Sequence, residues 1–151
     1  MPDKLTTYVQ LAEDTTRAIM HSHETWTAFL STAARMYKYA YNDQLMIHAQ
    51  RPAATACAPY EVWNQKMSRY VRRGSKGIAL LDSSGDTVAL HYVFDVADTG
   101  TTRRSPPMNL WQMERHHTLP IMDALQSTYD TAPAGGLERQ VEQIALRLSD
   151  L

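Results

Sequence analysis

A run of positive charge lies between residues 66 and 76, where the chain has five cations and no acid. The cations are Lys66, Arg69, Arg72, Arg73 and Lys76. Tyr70 lies inside the run, and Tyr60 and Trp63 precede it. Cations along a turn can contact phosphates, and aromatic rings stack on bases at about 1–3 kcal/mol per base. The pattern therefore predicts a surface for a flexible single strand of nucleic acid. A charge run is also typical of a solvated face, and Tyr60 and Trp63 are equally compatible with a core.

Two glycines interrupt this segment, in the order Gly74, Ser75, Lys76, Gly77. A phosphate-binding Walker loop needs a longer glycine spacing and a Ser or Thr after its Lys, whereas here Gly77 follows Lys76. The residues instead predict a tight turn between two strands, in which Gly74 or Gly77 takes a positive φ. We therefore expect no site for a nucleoside triphosphate.

The histidines and carboxylates form no familiar metal or catalytic motif. His116 and His117 are adjacent, which predicts rings on different sides of a helix or strand, and no HExxH spacing occurs. Four acids flank the predicted strands, where a metal-dependent nuclease would have them: Asp82, Asp86, Asp95 and Asp98. None precedes a lysine at the short spacing of such nucleases, and aspartates are common in turns. We expect no metal, no cofactor and no enzyme activity.

Composition excludes several other classes of protein. The 151 residues have a formal net charge of −1, so any nucleic-acid site must be local. The single cysteine, Cys57, excludes an internal disulfide and a cysteine-based zinc site, and is expected to be a small buried residue. No apolar run is long enough to span a membrane, and the N-terminus has no signal-peptide pattern. We expect a soluble cytoplasmic protein with no membrane partner.

The elements that position these residues are predicted to be helices, then a sheet, then helices. Apolar residues recur at helical spacing from Leu5 to Met20 and from Trp26 to Tyr37. Asn42 is the predicted N-cap of the next helix, which Pro52 ends, and Pro59 is the predicted first residue of a short helix.

The middle of the chain predicts a small antiparallel sheet of about three strands, "RYV", "IALL" and "TVALHYVFDV", with a hairpin turn at "DSSGD". Two helices are predicted near the C-terminus, separated by a break at 131–136. The predicted fold class is α+β. A single domain is expected over 1–151, with a C-terminal helical extension from about 108 to 151.

Residues 26–99, about half of the chain, resemble a known family. "YNDQLMIHAQRPAATACAPYEVWNQKMSRYVRRGSKGIALL" and "HYVFDVADT" are similar to the N-terminal domain of ArdC-type antirestriction proteins and to the related segment of LtrC-like proteins of conjugative elements. The most telling positions are Asn42, Trp63, the basic glycine turn from Arg72 to Gly77, and the strand from Val93 to Val96.

The resemblance implies a single-stranded DNA-binding domain of α+β fold without sequence specificity, from a mobile genetic element. In that family the domain is joined to a zinc metallopeptidase-like domain or to helicase and methylase regions. This chain has no HExxH segment, so peptidase activity is not implied.

Two functions follow as expectations. The first is binding of single-stranded DNA by the five cations, with stacking on Tyr70 and on Tyr92 or Trp63, and with Asn42 assigned to structure as a helix cap. The second is inhibition of a host defence nuclease, a restriction or CRISPR enzyme, by protein contact. Interfaces favour Trp, Tyr, Met and Arg, and the chain has 3 Trp, 8 Tyr and 8 Met. A metal-dependent nuclease would instead show cleavage that EDTA abolishes.

Overall fold

The computed structural model describes residues 1–132 and 135–150. The chain divides into two compact units, Met1–Met108 and Asn109–Leu151. The sequence predicts a single domain with a helical extension from about 108. The boundary falls where that extension was expected to begin, but the extension forms a compact unit of its own. The α+β fold class is confirmed, with N-terminal helices, small antiparallel sheets and C-terminal helices.

Three helices open the first unit: α1 (Lys4–Ile19), α2 (His23–Arg35) and α3 (Tyr41–Gln50). The first two begin at side chains that satisfy free backbone N–H groups. Asp3 Oδ1 accepts from the Thr6 N–H at 2.7 Å, and Ser22 and Thr25 form a reciprocal capping box. Helix α3 ends just before Pro52, as predicted.

Two boundary predictions were wrong. Helix α3 begins at Tyr41 with Ala40 as its N-cap, so Asn42 lies inside the first turn and caps nothing. The ring of Tyr41, the first residue of the helix, packs edge-on against the ring of Phe29, with the ring centres 5.7 Å apart, a tertiary contact that the spacing of apolar residues does not predict. Pro59 ends a strand instead of opening a helix, and the helical turn after it includes a π-helix at Val62–Lys66.

A three-stranded antiparallel sheet has the strand order β1-β4-β3. Its strands are β1 (Cys57–Pro59), β3 (Ile78–Asp82) and β4 (Ala89–Asp95). The predicted hairpin is confirmed, because β3 and β4 pair on either side of the turn at 83–88. Strand β1 was predicted to be a turn. It pairs with the far end of β4, where Cys57 lies opposite Asp95.

A second sheet consists of two short strands, β2 (Arg69–Val71) and β5 (Thr99–Thr101), which we call the ribbon. The sequence places "RYV" in the same sheet as "IALL", and this was wrong. Tyr70 pairs with Gly100, thirty residues further along the chain, so the ribbon is closed by a non-local contact.

The core of the first unit lies between α3 and the three-stranded sheet. It consists of buried apolar residues: Met36, Met46, Ile47, Ala54, Ile78, Leu80 and Val93. Each fully buried aliphatic side chain contributes about 1.5–3 kcal/mol. The Gln50 amide fixes α3 against β3, because its Nε2 donates to the Ala79 carbonyl at 2.8 Å and its Oε1 accepts from the Ala79 N–H at 2.9 Å.

The second unit contains a 3₁₀ turn at Arg115–His117 and the helices α4 (Thr118–Tyr129) and α5 (Leu137–Ser149). Both predicted helices are confirmed. Gln140, which is buried, donates from Nε2 to the Met122 carbonyl at 2.9 Å and joins the two helices. Arg147 Nη1 donates to the carbonyls of Tyr129 and Asp130, which have no partner within α4.

Within the predicted break at 131–136, residues 133 and 134 lie outside the described part of the chain. In the part that is described, no helix has both the length and the apolar character needed to cross a membrane.

Candidate nucleic-acid interface

The segment from Arg72 to Gly77, which we call the basic turn, connects the ribbon to the three-stranded sheet. Its start is fixed by two hydrogen bonds from Arg72. The backbone N–H donates to the Asp98 carbonyl at 2.8 Å, and Nη1 donates to the Ala97 carbonyl at 2.7 Å. Gly74 has φ +86°, so the prediction that a glycine here takes a positive φ is confirmed.

The acceptors for Arg72 lie in a single 3₁₀ turn, Val96–Asp98, which we call the corner. Asp95, which precedes the corner and is only 2% exposed, holds the corner through its carboxylate. Its Oδ2 accepts from the Ala97 N–H at 3.2 Å, and its Oδ1 accepts from the Thr55 and Ala56 N–H groups at 2.8 and 3.0 Å. Three hydrogen bonds compensate the cost of burying this carboxylate.

A salt bridge fixes the other end of the corner. The Asp98 carboxylate accepts from Arg51 Nη1 at 2.5 Å, and both side chains are largely buried. Thus Asp95 and Asp98 have structural partners, and neither is available as a free catalytic acid.

The cations of residues 66–76, which we call the basic segment, form no ion pair with any residue that the structure describes. Among residues 1–132 and 135–150, the ion pairs join Arg17 to Asp14, Arg51 to Asp98 and His116 to Glu114. None of the five predicted binding cations belongs to these pairs. Four of the five are exposed: Lys66, Arg72, Arg73 and Lys76. Because no carboxylate neutralises them, their charge is available to an anionic ligand.

Arg69 differs from the other four. It is half-buried, and its Nε donates to Thr99 Oγ1 at 2.8 Å across the ribbon. Side chains alternate along a strand, so Arg69 lies on the opposite face of the ribbon from Tyr70. The two residues were predicted to act at one surface, and the structure does not bring their side chains together.

Tyr70 is 52% exposed and lies against Gly100 on the paired strand. A Cβ added to Gly100 would lie 2.2 Å from Tyr70 Cζ, so the ring covers the glycine directly. An aromatic ring over a cross-strand glycine fills the space that a side chain would otherwise occupy. The remaining exposed ring surface suits a stacked base.

Trp63 cannot stack on a base in this structure. Its side chain is only 2% exposed, and its Nε1 donates to the Phe94 carbonyl at 2.9 Å. The prediction of Trp63 as a binding residue was therefore wrong. Its position in the π-helix turns the indole toward β4, a direction that helical spacing alone does not predict.

Tyr92 lies in β4, half-buried and next to the end of the basic turn. A Cβ on Gly77 would be 3.1 Å from Tyr92 Cβ. The Lys4 ammonium lies over the Tyr92 ring, 4.9 Å from its centre, and the hydrogen bond with this tyrosine raises the pKa of Lys4. A base could stack on that face only by displacing Lys4.

Two further cations, Arg103 and Arg104, were not recognised as binding residues in the sequence. Both are exposed, and they lie in a turn that is anchored to Ser68. Thr102 Oγ1 and Ser105 Oγ each donate to the Ser68 carbonyl at 2.8 Å. The adjacent arginines in "TTRRS" are a visible signal, but only the pairing of β2 with β5 places them beside the basic segment.

Comparison with known proteins identifies no relative: the chain matches no protein-family model, no curated protein and no solved structure. The resemblance to ArdC-type and LtrC-like domains is neither supported nor refuted by these comparisons, and it stays a prediction. The function is therefore inferred from the geometry.

The other candidate residues do not assemble into a site. Within the described residues, no three His, Cys, Asp or Glu side chains are grouped as metal ligands. Asp82 accepts from the Ser84 N–H at 2.9 Å, and hydrogen bonds from the Ser84 side chain and then its backbone lower the pKa of the Asp82 carboxyl, as in an ordinary turn. The rings of His116 and His117 lie 4.0 Å apart, so the prediction that they face different sides was wrong; they share a 3₁₀ turn.

Cys57 is half-buried in β1. Burial raises the pKa of its thiol to about 12, and the negative charge of Asp95 acts in the same direction. A thiol with this pKa stays protonated at neutral pH, and only the thiolate is a strong nucleophile. We therefore interpret Cys57 as a structural residue and not as a nucleophile.

Proposed function

We propose that this chain binds single-stranded DNA without sequence specificity, through the basic turn and the exposed ring of Tyr70. One observation supports this most directly: the cations of the turn are exposed and unpaired, although the turn itself is fixed by hydrogen bonds to the corner. A turn whose backbone is fixed loses little conformational entropy when phosphates bind to it.

The residues of the turn have different roles in this proposal. Arg73 and Lys76 contact phosphates, because neither has a hydrogen bond or an ion pair within residues 1–132 and 135–150. Arg72 is a positioning residue, since its guanidinium is bonded to the corner. Tyr70 stacks on one unpaired base, and this requirement favours a single strand over a duplex. The proposal includes no cleavage of the DNA.

Fluorescence anisotropy tests the proposal with a labelled single strand, its duplex and an RNA of the same sequence, each between 50 and 200 mM salt. Each single-strand phosphate contact contributes about 0.7 to the slope of log K against log salt. With phosphate contacts from Arg73 and Lys76, the slope is about 1.4 and Kd increases about sevenfold over this range. Absence of salt-dependent binding to the single strand would overturn the proposal. Tighter binding of RNA than of single-stranded DNA would identify RNA as the ligand instead.

The informative variant is Arg73→Gln/Lys76→Gln, because it removes two charges without touching the bonds of Arg72. The slope should decrease by about 1.4. Arg115→Gln/Arg139→Gln, in the second unit, makes the same change in net charge at two exposed residues and should leave the slope unchanged. Equal slopes for both variants would show that the basic turn is not the site.

A second candidate function, inhibition of a host defence nuclease by protein contact, is favoured by a different observation. Trp26 and Leu30 lie one turn apart on α2 and are 40% and 46% exposed, although both were predicted from their spacing to share the apolar face of the helix. Exposed apolar side chains on one face are typical of protein contacts. An inhibitor would act only in the presence of its nuclease, and Trp26→Ser/Leu30→Ser would abolish inhibition without affecting oligonucleotide binding.

A further inference from the structure

We infer that the turn from Thr102 to Ser105 is a second phosphate-binding element, with Arg103 and Arg104 contacting the same DNA strand as the basic turn. This inference rests on the proposed function and extends it to residues more than 25 positions away in the sequence. It begins from the two ends of the ribbon, because each end is followed by a turn whose exposed cations belong to no ion pair among the described residues.

The antiparallel pairing determines which turn lies at which end. Arg69 pairs with Thr101, so the start of β2 lies beside the end of β5 and the turn that follows it. Val71 pairs with Thr99, so the end of β2, where the basic turn begins, lies beside the corner. The basic turn and the 102–105 turn therefore extend from opposite ends of the ribbon, and Tyr70 lies between them.

The 102–105 turn is as well anchored as the basic turn. Besides the two bonds to the Ser68 carbonyl, the Thr102 N–H donates to Ser105 Oγ at 2.8 Å and the Arg104 N–H donates to Thr102 Oγ1 at 3.2 Å. These bonds use the hydroxyls of both flanking residues and leave the two guanidinium groups exposed. Ser68, the common acceptor, has φ +48° and begins the approach to β2.

The charge distribution supports the same conclusion. The first unit has 12 Lys and Arg and 10 Asp and Glu, and seven of those cations lie in the basic segment and the 102–105 turn. Within residues 1–132 and 135–150, neither Arg103 nor Arg104 forms an ion pair.

The length of the ribbon gives the expected size of the site. Three residues at about 3.3 Å each span about 10 Å, which corresponds to about three nucleotides of a stacked strand at 3.4 Å each. A strand must therefore be longer than about three nucleotides to contact both turns. The inferred path runs from Arg103 and Arg104, past Tyr70, to Arg73 and Lys76.

The test is a titration of the full chain with oligo-dT of 3 and 12 nucleotides, using the wild type and Arg103→Gln/Arg104→Gln. With the 12-mer, the variant should bind more weakly and lose about 1.4 from the salt slope. Combined with Arg73→Gln/Lys76→Gln, the loss should reach about 2.8, because the two pairs contact different phosphates. With the 3-mer, which contacts one turn at a time, each double variant should keep a slope of about 1.4 through its intact turn, and only the quadruple variant should lose that slope.

The outcomes separate the two proposals. Wild-type protein that fails to bind the 12-mer would overturn the proposed function and this inference together. Wild-type binding that depends on Arg73 and Lys76 but not on Arg103 and Arg104 would overturn this inference alone. Arg115→Gln/Arg139→Gln is the control for net charge. A decrease in the slope of log K against log salt in that variant would also contradict the inference.

Discussion

The two turns that flank β3 are built in opposite ways. The hairpin turn at 83–88 connects two strands that pair directly with each other, and its described side-chain bond is local, from the Ser84 N–H to Asp82. The basic turn connects strands of two different sheets and is fixed by the corner, more than twenty residues away in the sequence. The hairpin turn contains no cation, whereas the basic turn contains three.

This difference determines which turn depends on residues far away in the sequence. The geometry of a hairpin turn follows from the strands on either side of it. The strands on either side of the basic turn do not pair with each other, so the shape of this turn depends on Asp95, Asp98 and Arg72. We therefore expect paired substitutions in the two turns to have unequal effects, and the following predictions begin with the largest difference.

Asp95→Asn should destabilise the protein by about 2–4 kcal/mol, because an amide cannot accept all three N–H groups that the buried carboxylate accepts. Asp82→Asn, the matched change beside the hairpin turn, should have an effect within the error of the measurement. Urea unfolding followed by tryptophan fluorescence measures both. Similar midpoints for the two variants would contradict the structural role of the corner.

Gly74→Ala should cost about 1–2 kcal/mol, since φ +86° is unfavourable for a residue with a Cβ even where the space is open. Gly85→Ala, in the hairpin turn, should be nearly neutral because the new Cβ would meet only the Thr87 carbonyl oxygen at 3.9 Å. The same unfolding experiment compares them. A larger loss of stability in Gly85→Ala than in Gly74→Ala would contradict this prediction.

Gly100→Ala should displace the Tyr70 ring, because the new Cβ would overlap Cζ and Oη, and the exposed ring can rotate away. We expect little loss of stability and about fivefold weaker binding of single-stranded DNA, which corresponds to about 1 kcal/mol of lost stacking. Tyr70→Ala should weaken binding at least as much. Unchanged affinity in both variants would exclude Tyr70 from the site.

Alkaline pH should weaken the first unit through Cys57. Burial raises its pKa in the folded state to about 12, above the ordinary value of 9.0, so its stabilising effect is complete below pH 9 and is lost as the pH rises toward 12. At pH 10 the loss should be on the order of 1 kcal/mol. The difference in unfolding midpoint between pH 8 and pH 10 should be smaller in Cys57→Ala than in the wild type.

The sequence predicted the long elements of the fold, but it missed the short strands β1 and β5 and the pairing partner of the short strand β2. β4 alternates over seven residues and α1 repeats over sixteen, so both have a clear period. β1, β2 and β5 have three residues each, which is too few for a period, and their partners lie far away in the sequence. Tertiary pairing decides such strands, and a single sequence does not show it.

The candidate site followed the same rule. The basic turn and its glycine were predicted because they are contiguous, and Tyr70 was identified because it lies inside the charged run. The burial of Trp63 was not predicted, because it depends on the Phe94 carbonyl of another strand. Arg103 was missed for a related reason, since only the ribbon places it near Ser68.

The protected thiol has a practical consequence for single-site labelling. Cys57 is the sole cysteine of the sequence, and its partial burial and raised pKa should slow its reaction with maleimides near neutral pH. An added cysteine at an exposed position of the hairpin turn, such as Ser83→Cys, would therefore take one dye selectively. β3 separates that position from the basic turn by five residues, about 16 Å, which suits energy transfer to a dye on an arriving oligonucleotide.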